Sequence, residues 1–353
     1  GAKEAGRAPE GGPRPGGLSR KAMAPARRAR RTRPMCPGSD GRAAVATMRA
    51  MSSLSPDAAS WFPADADPRA RAQIARIDGL ATVFDRAQAG TRVRWRRFGP
   101  EAAATPPVVL LHGGHGSWMH WLRNVEAIAA RHTLWLPDLP GYHDSGTPPA
   151  PPPGEDVLGP LLAALHGTLD ELVGQGTPIV LGGFSFGGLV AARLAVQRGH
   201  IDRLALVGSG GHATLRRLTV EMLNWRAAPD RAAERAALRH NLLALMLHDE
   251  ATLDALAFEV HDIACHGTRF RSKTSSLAGG LQPALDLLDA RAVPQWLAWG
   301  EFDVTGDARP LLAALTAGHP LRHGELIEGA GHWVQYERAE RCNEALLRWL
   351  ELR

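Results

Sequence analysis

Cysteine is scarce in this chain: Cys36, Cys265 and Cys342 are its three cysteines among 353 residues, too few and too scattered for a disulfide framework or a metal knuckle. That usage points to a reducing cytoplasm. Long apolar runs are missing as well, since no window approaches the roughly 18 to 20 residues that a membrane-crossing helix requires. A helical membrane-spanning protein is excluded. Lysine is as rare as cysteine, with Lys3, Lys21 and Lys273 only, so the basic charge is carried by arginine in a composition biased to Arg, Ala, Pro and Gly, as GC-rich coding produces. No internal repeat is present.

With 44% hydrophobic and 22% charged residues the chain has the makings of a full globular core. The net charge of +5 would suggest a nucleic-acid partner if it were spread over the fold. It is not: residues 1–50 hold 12 Lys and Arg against three acids, and the remainder holds 29 against 33. The body is mildly acidic, and no nucleic-acid or membrane partner is expected. The tail around Arg27, Arg28, Arg30, Arg31 and Arg33 is diluted with Gly, Pro and Ala and reads as a disordered extension, a transit peptide or electrostatic arm being the other readings. No apolar signal core follows Arg33, and Met48 and Met51 are candidate starts.

From Val93 onward, short apolar runs alternate with amphipathic ones, the pattern of an α/β protein whose mostly parallel central sheet carries helices on both faces. Strands are predicted at 93–98, 108–112, 133–137, 179–182, 203–207, 295–299 and 325–327, and helices near 118–130, 157–173, 186–197, 308–317 and 334–350. Gly199 is placed to cap the third helix. The alternation breaks once, over 212–292, which is helical in pattern and reads as a cap inserted after the sixth strand of the full fold. The expected organisation is a basic extension (1–50), a lead-in (51–92), a core (93–211 and 293–353) and the cap.

The sharpest signal is Gly183-Phe184-Ser185-Phe186-Gly187, which follows an apolar strand and opens onto a helix. A tight strand-to-helix turn excludes side chains at the flanking positions and lifts the serine hydroxyl to the carboxyl edge of the sheet. Serine needs a base to take its proton and a carboxylate to orient that base. Asp303, just past one strand, and His332, just past the last, stand in the order Ser, Asp, His; Asp307 is a rival to Asp303. The oxyanion requires two backbone donors, predicted as the N–H groups of Phe186 and of Gly114 in His112-Gly113-Gly114-His115-Gly116. That loop carries neither G-x-G-x-x-G nor G-K-[ST], which argues against a phosphate loop. His112, His115 and His120 lack a carboxylate or Cys at ligand spacing, so no metal and no cofactor is expected.

Together the elbow, the His112-Gly113-Gly114 loop, Asp138-Leu139-Pro140-Gly141, Gly300 to Asp303 and Gly331-His332 resemble an α/β-hydrolase from about Val93 to the C-terminus. Arg203-Leu-Ala-Leu-Val-Gly-Ser-Gly-Gly211 and Gly331-His332-Trp333-Val334-Gln335-Tyr336-Glu337 are similar to the bacterial meta-cleavage-product hydrolases, which cut a carbon–carbon bond beside a ketone. Phe184 and Phe186 depart from the Asn and Met usual there. The arginine that holds a substrate carboxylate in that group has no clear counterpart near Glu259-Val260-His261, and Arg269 and Arg271 read as surface charges. The resemblance implies a serine hydrolase acting on a small-molecule ester or related acyl compound, with carbon–carbon cleavage as the alternative. A ligand-binding relative without turnover is the reading from another class. Trp333 and His115 are expected to line the substrate pocket, and the cap to cover Ser185 with an apolar face (Leu238, Leu242, Leu245, Met246, Leu253).

Overall fold

A computed structural model of the chain describes residues 58–352, so the basic extension 1–50 and the start of the lead-in lie outside the described residues. Eight strands form one sheet in the order β1-β2-β4-β3-β5-β6-β7-β8. They are β1 (Thr82–Gln88), β2 (Thr91–Phe98), β3 (Val108–Leu111), β4 (Leu134–Pro137), β5 (Ile179–Phe184), β6 (Ile201–Val207), β7 (Gln295–Gly300) and β8 (Arg322–Ile327). Pairing is antiparallel for β1–β2 and β2–β4 and parallel for the rest.

The central strands are continuous apolar runs because helices cover both of their faces. Alternate residues part accordingly: Val108, Leu110 and Val180 join one core, whereas Val109, Leu111 and Leu181 join the other. The order reverses around β3, which has β4 on one side and β5 on the other. A crevice opens beyond the carboxyl ends of strands at such a switch point, and this is where the 112–116 loop and Ser185 lie.

The lead-in is more structured than the sequence pattern suggests. Helix Pro68–Asp78 starts at Asp67, whose side chain accepts from the N–H groups of Arg69 and Ala70. Edge strand β1 alternates exposed and half-buried positions and carries charge, so it gives none of the apolar signal of a central strand. Two predicted helices are broken. The 118–130 segment is a 3-10 turn, Trp118–Trp121, followed by Val125–Ala129, and the 334–350 segment divides into Val334–Glu337 and Ala339–Glu351 at Arg338. Apolar spacing of three or four residues does not distinguish one helix from two short ones with a common buried face.

Between β6 and β7 the chain is irregular to about Asn224 and then runs through Arg231–Leu245, Ala255–His266, Lys273–Leu277 and Leu281–Asp289. The last of these lies on the sheet: Leu281, Leu285 and Leu288 join the same core as Leu189 and Val190 of the helix after Ser185.

Beneath the crevice lies a buried ionic network. Fully buried Arg96 donates to Asp78, Asp138 and Asp144 at 2.9, 2.9 and 2.8 Å. His143 lies 3.5 Å from Asp138 and 3.4 Å from Asp144. Burial alone would lower the His143 pKa, but the two carboxylates overcome it and raise it from 6.5 to about 9. Protonated His143 therefore contributes stability that is complete below about pH 6.5 and lost as pH rises through about 9. Thermal melts should show Tm falling across that window, and His143→Gln should flatten the fall; an equal slope in the variant would refute the assignment.

Candidate active site

The elbow forms because two glycines permit it. A β-carbon on Gly183 would sit 2.2 Å from the carbonyl oxygen of Gly187, and one on Gly187 would sit 2.2 Å from that of His112. Backbone meets backbone there, so no side chain can move aside. Ser185 at the apex has φ 55° and ψ −120°, a conformation costly for a residue with a β-carbon. Its N–H donates to Val207 at 3.0 Å, and its carbonyl accepts from Gly188 and Gly210 at 2.9 and 2.8 Å. The strained turn is thus held by both neighbouring segments.

Ser185, Asp303 (118 positions later) and His332 (29 positions later still) meet in one row. His332 Nε2 is 2.9 Å from Ser185 Oγ, and its Nδ1 is 2.8 Å from Asp303 Oδ2. The other Asp303 oxygen accepts from the Thr305 N–H and hydroxyl at 2.8 and 2.7 Å. Burial would raise the Asp303 pKa, but the His332 charge and the hydrogen bonds from His332 and Thr305 hold it below the usual carboxylate value. Asp303 is therefore an anion aimed at Nδ1, which leaves Nε2 to receive the serine proton. Asp307 lies outside this row, exposed and paired with Arg217 at 2.8 Å.

The 112–116 loop is braced by histidine. His112 Nε2 accepts from the Leu139 N–H at 2.9 Å, which places its proton on Nδ1, and that N–H donates to the Gly113 carbonyl at 2.8 Å. Burial pushes its pKa down to about 4, so the ring stays neutral. The Gly113 N–H donates to His120 Nδ1 at 3.2 Å. The Gly114 and Phe186 N–H groups have no protein acceptor among the described residues. Gly114 faces both Phe186 and the 212–292 segment: a β-carbon on it would lie 3.8 Å from Phe186 Cβ and 2.5 Å from Ser272 Oγ.

Of the two residues expected to line the pocket, Trp333 does not. Its ring is fully buried, donates from Nε1 to the His120 carbonyl at 3.0 Å and stacks on Tyr336 at 4.2 Å. Immediately after His332 the chain turns into a helix, so adjacent side chains diverge and Trp333 enters the core. The Phe186 ring is also fully buried, stacked on Phe270 of the 212–292 segment at 5.8 Å. His115 is exposed on the loop with φ 49°. Arg269 is tied to Thr147 and to the His143 carbonyl, each at 3.1 Å. Glu259 is bound by Arg235 at 3.0 Å, and burial pushes the His261 pKa down to about 3, leaving it neutral.

Two residues escaped the sequence reading. Thr305 steadies Asp303, and Glu337 accepts the N–H of Gly331 at 2.6 Å. Glu337 ends the segment Gly331-His332-Trp333-Val334-Gln335-Tyr336-Glu337, but no spacing rule marks it. A cavity of about 360 Å³ borders His332, with Leu245, Leu247, Phe302 and Val304 in its wall. A larger cleft of about 580 Å³, lined by Arg76, Arg123, Glu126 and Arg341, includes no triad residue. The acidic groupings at metal-ligand spacing among the described residues lie elsewhere, Asp138–His143–Asp144 and Asp286–Asp289–His319, and arginines 96 and 322 already pair with them.

The sequence profile of the alpha/beta hydrolase family matches residues 108–345. A 2-hydroxy-6-oxononadienedioate/2-hydroxy-6-oxononatrienedioate hydrolase from a Pseudomonas species is 27% identical over 256 residues, covering 69% of this chain and 87% of that protein. The dihydrolipoyllysine-residue acetyltransferase component of the Pseudomonas putida acetoin cleaving system is 29% identical over 275 residues, covering 74% of this chain and 67% of its own length. Among solved structures, an aryl esterase described as unconfirmed from Burkholderia cenocepacia superposes with a TM-score of 0.61 at 22% identity, covering 76% of this chain and 99% of that one. A meta-cleavage product hydrolase from Pseudomonas fluorescens gives 0.56 at 20% identity, covering 75% and 96%.

Proposed function

The chain belongs to the alpha/beta hydrolase family, and from that premise we propose that it is a serine hydrolase cleaving a carboxylic ester or related acyl compound through an acyl-enzyme. The observation that carries this reading is the single imidazole joined to Ser185 Oγ at 2.9 Å and to Asp303 at 2.8 Å. Ser185 attacks the carbonyl carbon while His332 Nε2 takes its proton, and Asp303 stabilises the imidazolium that forms. The N–H groups of Gly114 and Phe186 receive the negative oxygen. His332 then returns the proton to the leaving alcohol, and water repeats the sequence to release the acid.

No step needs a metal or cofactor, and a reducing cytoplasm suits the buried unpaired thiols of Cys265 and Cys342. A non-catalytic binder has no use for the Ser185–His332–Asp303 row. A fluorophosphonate should therefore attach to Ser185, read as a mass shift on its peptide; an unlabelled Ser185 in folded protein would reject the enzyme reading.

Carbon–carbon cleavage of a diketo acid is the second reading. Arg216 of the cap supports it, because that half-buried guanidinium makes no ion pair among the described residues and lies within reach of the Asp303 charge. Against it, the 259–261 segment offers no cation. A panel of simple esters beside a vinylogous 1,5-diketo acid separates the two, with ester turnover expected.

A further inference from the structure

The catalytic histidine sits on a loop whose far side is fastened to the cap. Glu337 is buried, and its two carboxylate oxygens divide their work. One accepts from the N–H groups of His248 and Asp249 at 2.9 and 2.7 Å and from the Thr252 hydroxyl at 3.1 Å, all on the cap turn 246–252. The other accepts from the Gly331 N–H at 2.6 Å, one residue before His332. On the other flank the Trp333 N–H donates to the Met246 carbonyl at 2.7 Å. His332 is thus bracketed by two bonds that both lead to the same cap turn. The His248 ring of that turn also stacks on Phe302, beside Asp303, at 3.7 Å. Even Gly331 fits this junction closely, since a β-carbon there would lie 2.7 Å from the His248 nitrogen.

We propose that Glu337 is a positioning residue for His332, and that through it the backbone N–H groups of His248 and Asp249 on the cap turn are part of the scaffold of the catalytic base, the Thr252 hydroxyl lying outside it. The inference rests on the serine-hydrolase reading above. Its physical basis is tolerance: the imidazole must satisfy Ser185 and Asp303 together, and misplacement by about 1 Å can cost on the order of 100-fold in rate. A cap displaced by ligand binding or by mutation moves the base with it, so pocket occupancy and proton transfer are coupled through one carboxylate.

The test is Glu337→Gln, whose amide oxygen can keep the three cap bonds while its NH₂ group faces the Gly331 N–H, donor against donor. Turnover of p-nitrophenyl butyrate is measured per folded molecule, beside Thr252→Val, which loses one cap bond and keeps the Gly331 bond. Expected for Glu337→Gln is a fall in kcat of about 10- to 100-fold, KM within about threefold, and the acid limb of kcat/KM moved to lower pH as the imidazolium loses its alignment with Asp303. Thr252→Val should stay within about twofold of the parent. An unchanged kcat and pH profile in Glu337→Gln, or an equal kcat loss in both variants, would overturn the proposal. Should Glu337→Gln fail to fold, amide exchange in the parent decides: a protected Gly331 N–H supports the link and a fast-exchanging one overturns it. Fluorophosphonate labelling of the parent keeps the premise separate, since an unlabelled Ser185 rejects the hydrolase reading whatever the variants do.

Discussion

Ser185→Ala should lower kcat for a short p-nitrophenyl ester by at least about 10⁴-fold with the fold intact. Nothing replaces the lost oxygen. Any remaining rate would come from water acting in the same pocket, helped by the Gly114 and Phe186 donors, and those act only on an oxyanion that some other nucleophile must create. Removing the hydroxyl also relieves no strain, because the left-handed φ of 55° belongs to the backbone and alanine inherits it. Stability should therefore change little, and the Tm of the variant should lie close to that of the parent. Activity within about tenfold of the parent, in protein free of contaminating esterase, would show that Ser185 is not the nucleophile.

Arg96→Met should be the most destabilising of the single changes considered. The guanidinium is fully buried and donates to three carboxylates, of which Asp78 and Asp138 are themselves buried. Methionine fills much of its volume but leaves Asp78 without its cation and only His143 to face Asp138 and Asp144, in a medium that solvates these anions poorly. Breaking a buried ionic cluster in this way costs about 3–5 kcal/mol, which corresponds to a drop in Tm on the order of 10 °C. The effect should reach the site as well. Asp138 accepts from the Trp118 N–H at 3.0 Å, just after the 112–116 loop, so its other oxygen holds the start of that segment. A Tm within about 2 °C of the parent would mean that the cluster contributes no net stability. The companion variant with Asp78→Asn would then show whether the acids had simply taken up protons.

Much of this was legible in the amino-acid order. The central strands announce themselves because a strand covered on both faces must be apolar throughout, as in Val108–Leu111 and Ile179–Phe184. Ser185 announces itself because the elbow has no room for side chains at Gly183 and Gly187, which leaves a pattern readable without structure. His332 and Asp303 follow because each sits just past a strand end, where a parallel sheet gathers its loops at one edge. Helix and strand existence, site order and the absence of a membrane-crossing helix among the described residues all trace to such local rules.

What sequence periodicity could not decide is where a side chain points once two elements meet. Trp333 adjoins His332 in sequence yet enters the core, because the direction of a side chain at a loop-to-helix junction is set by tertiary packing. Edge strand β1 was hidden for a related reason, since its Asp85 and Arg86 read as surface, and within the predicted strand β2 no local rule told that the fold turns Arg96 inward onto three acids. Glu337 lies 85 residues from Thr252 and 88 from Asp249, and no local pattern marks a carboxylate that closes so distant a junction. The sequence by itself determined the strands other than edge strand β1, the elbow and the order of the three site residues, since backbone sterics and burial act within a few positions. Only the tertiary structure decided the pairing of buried charges and the seating of the histidine loop on the 246–252 turn, since those depend on which distant groups share one small volume without water.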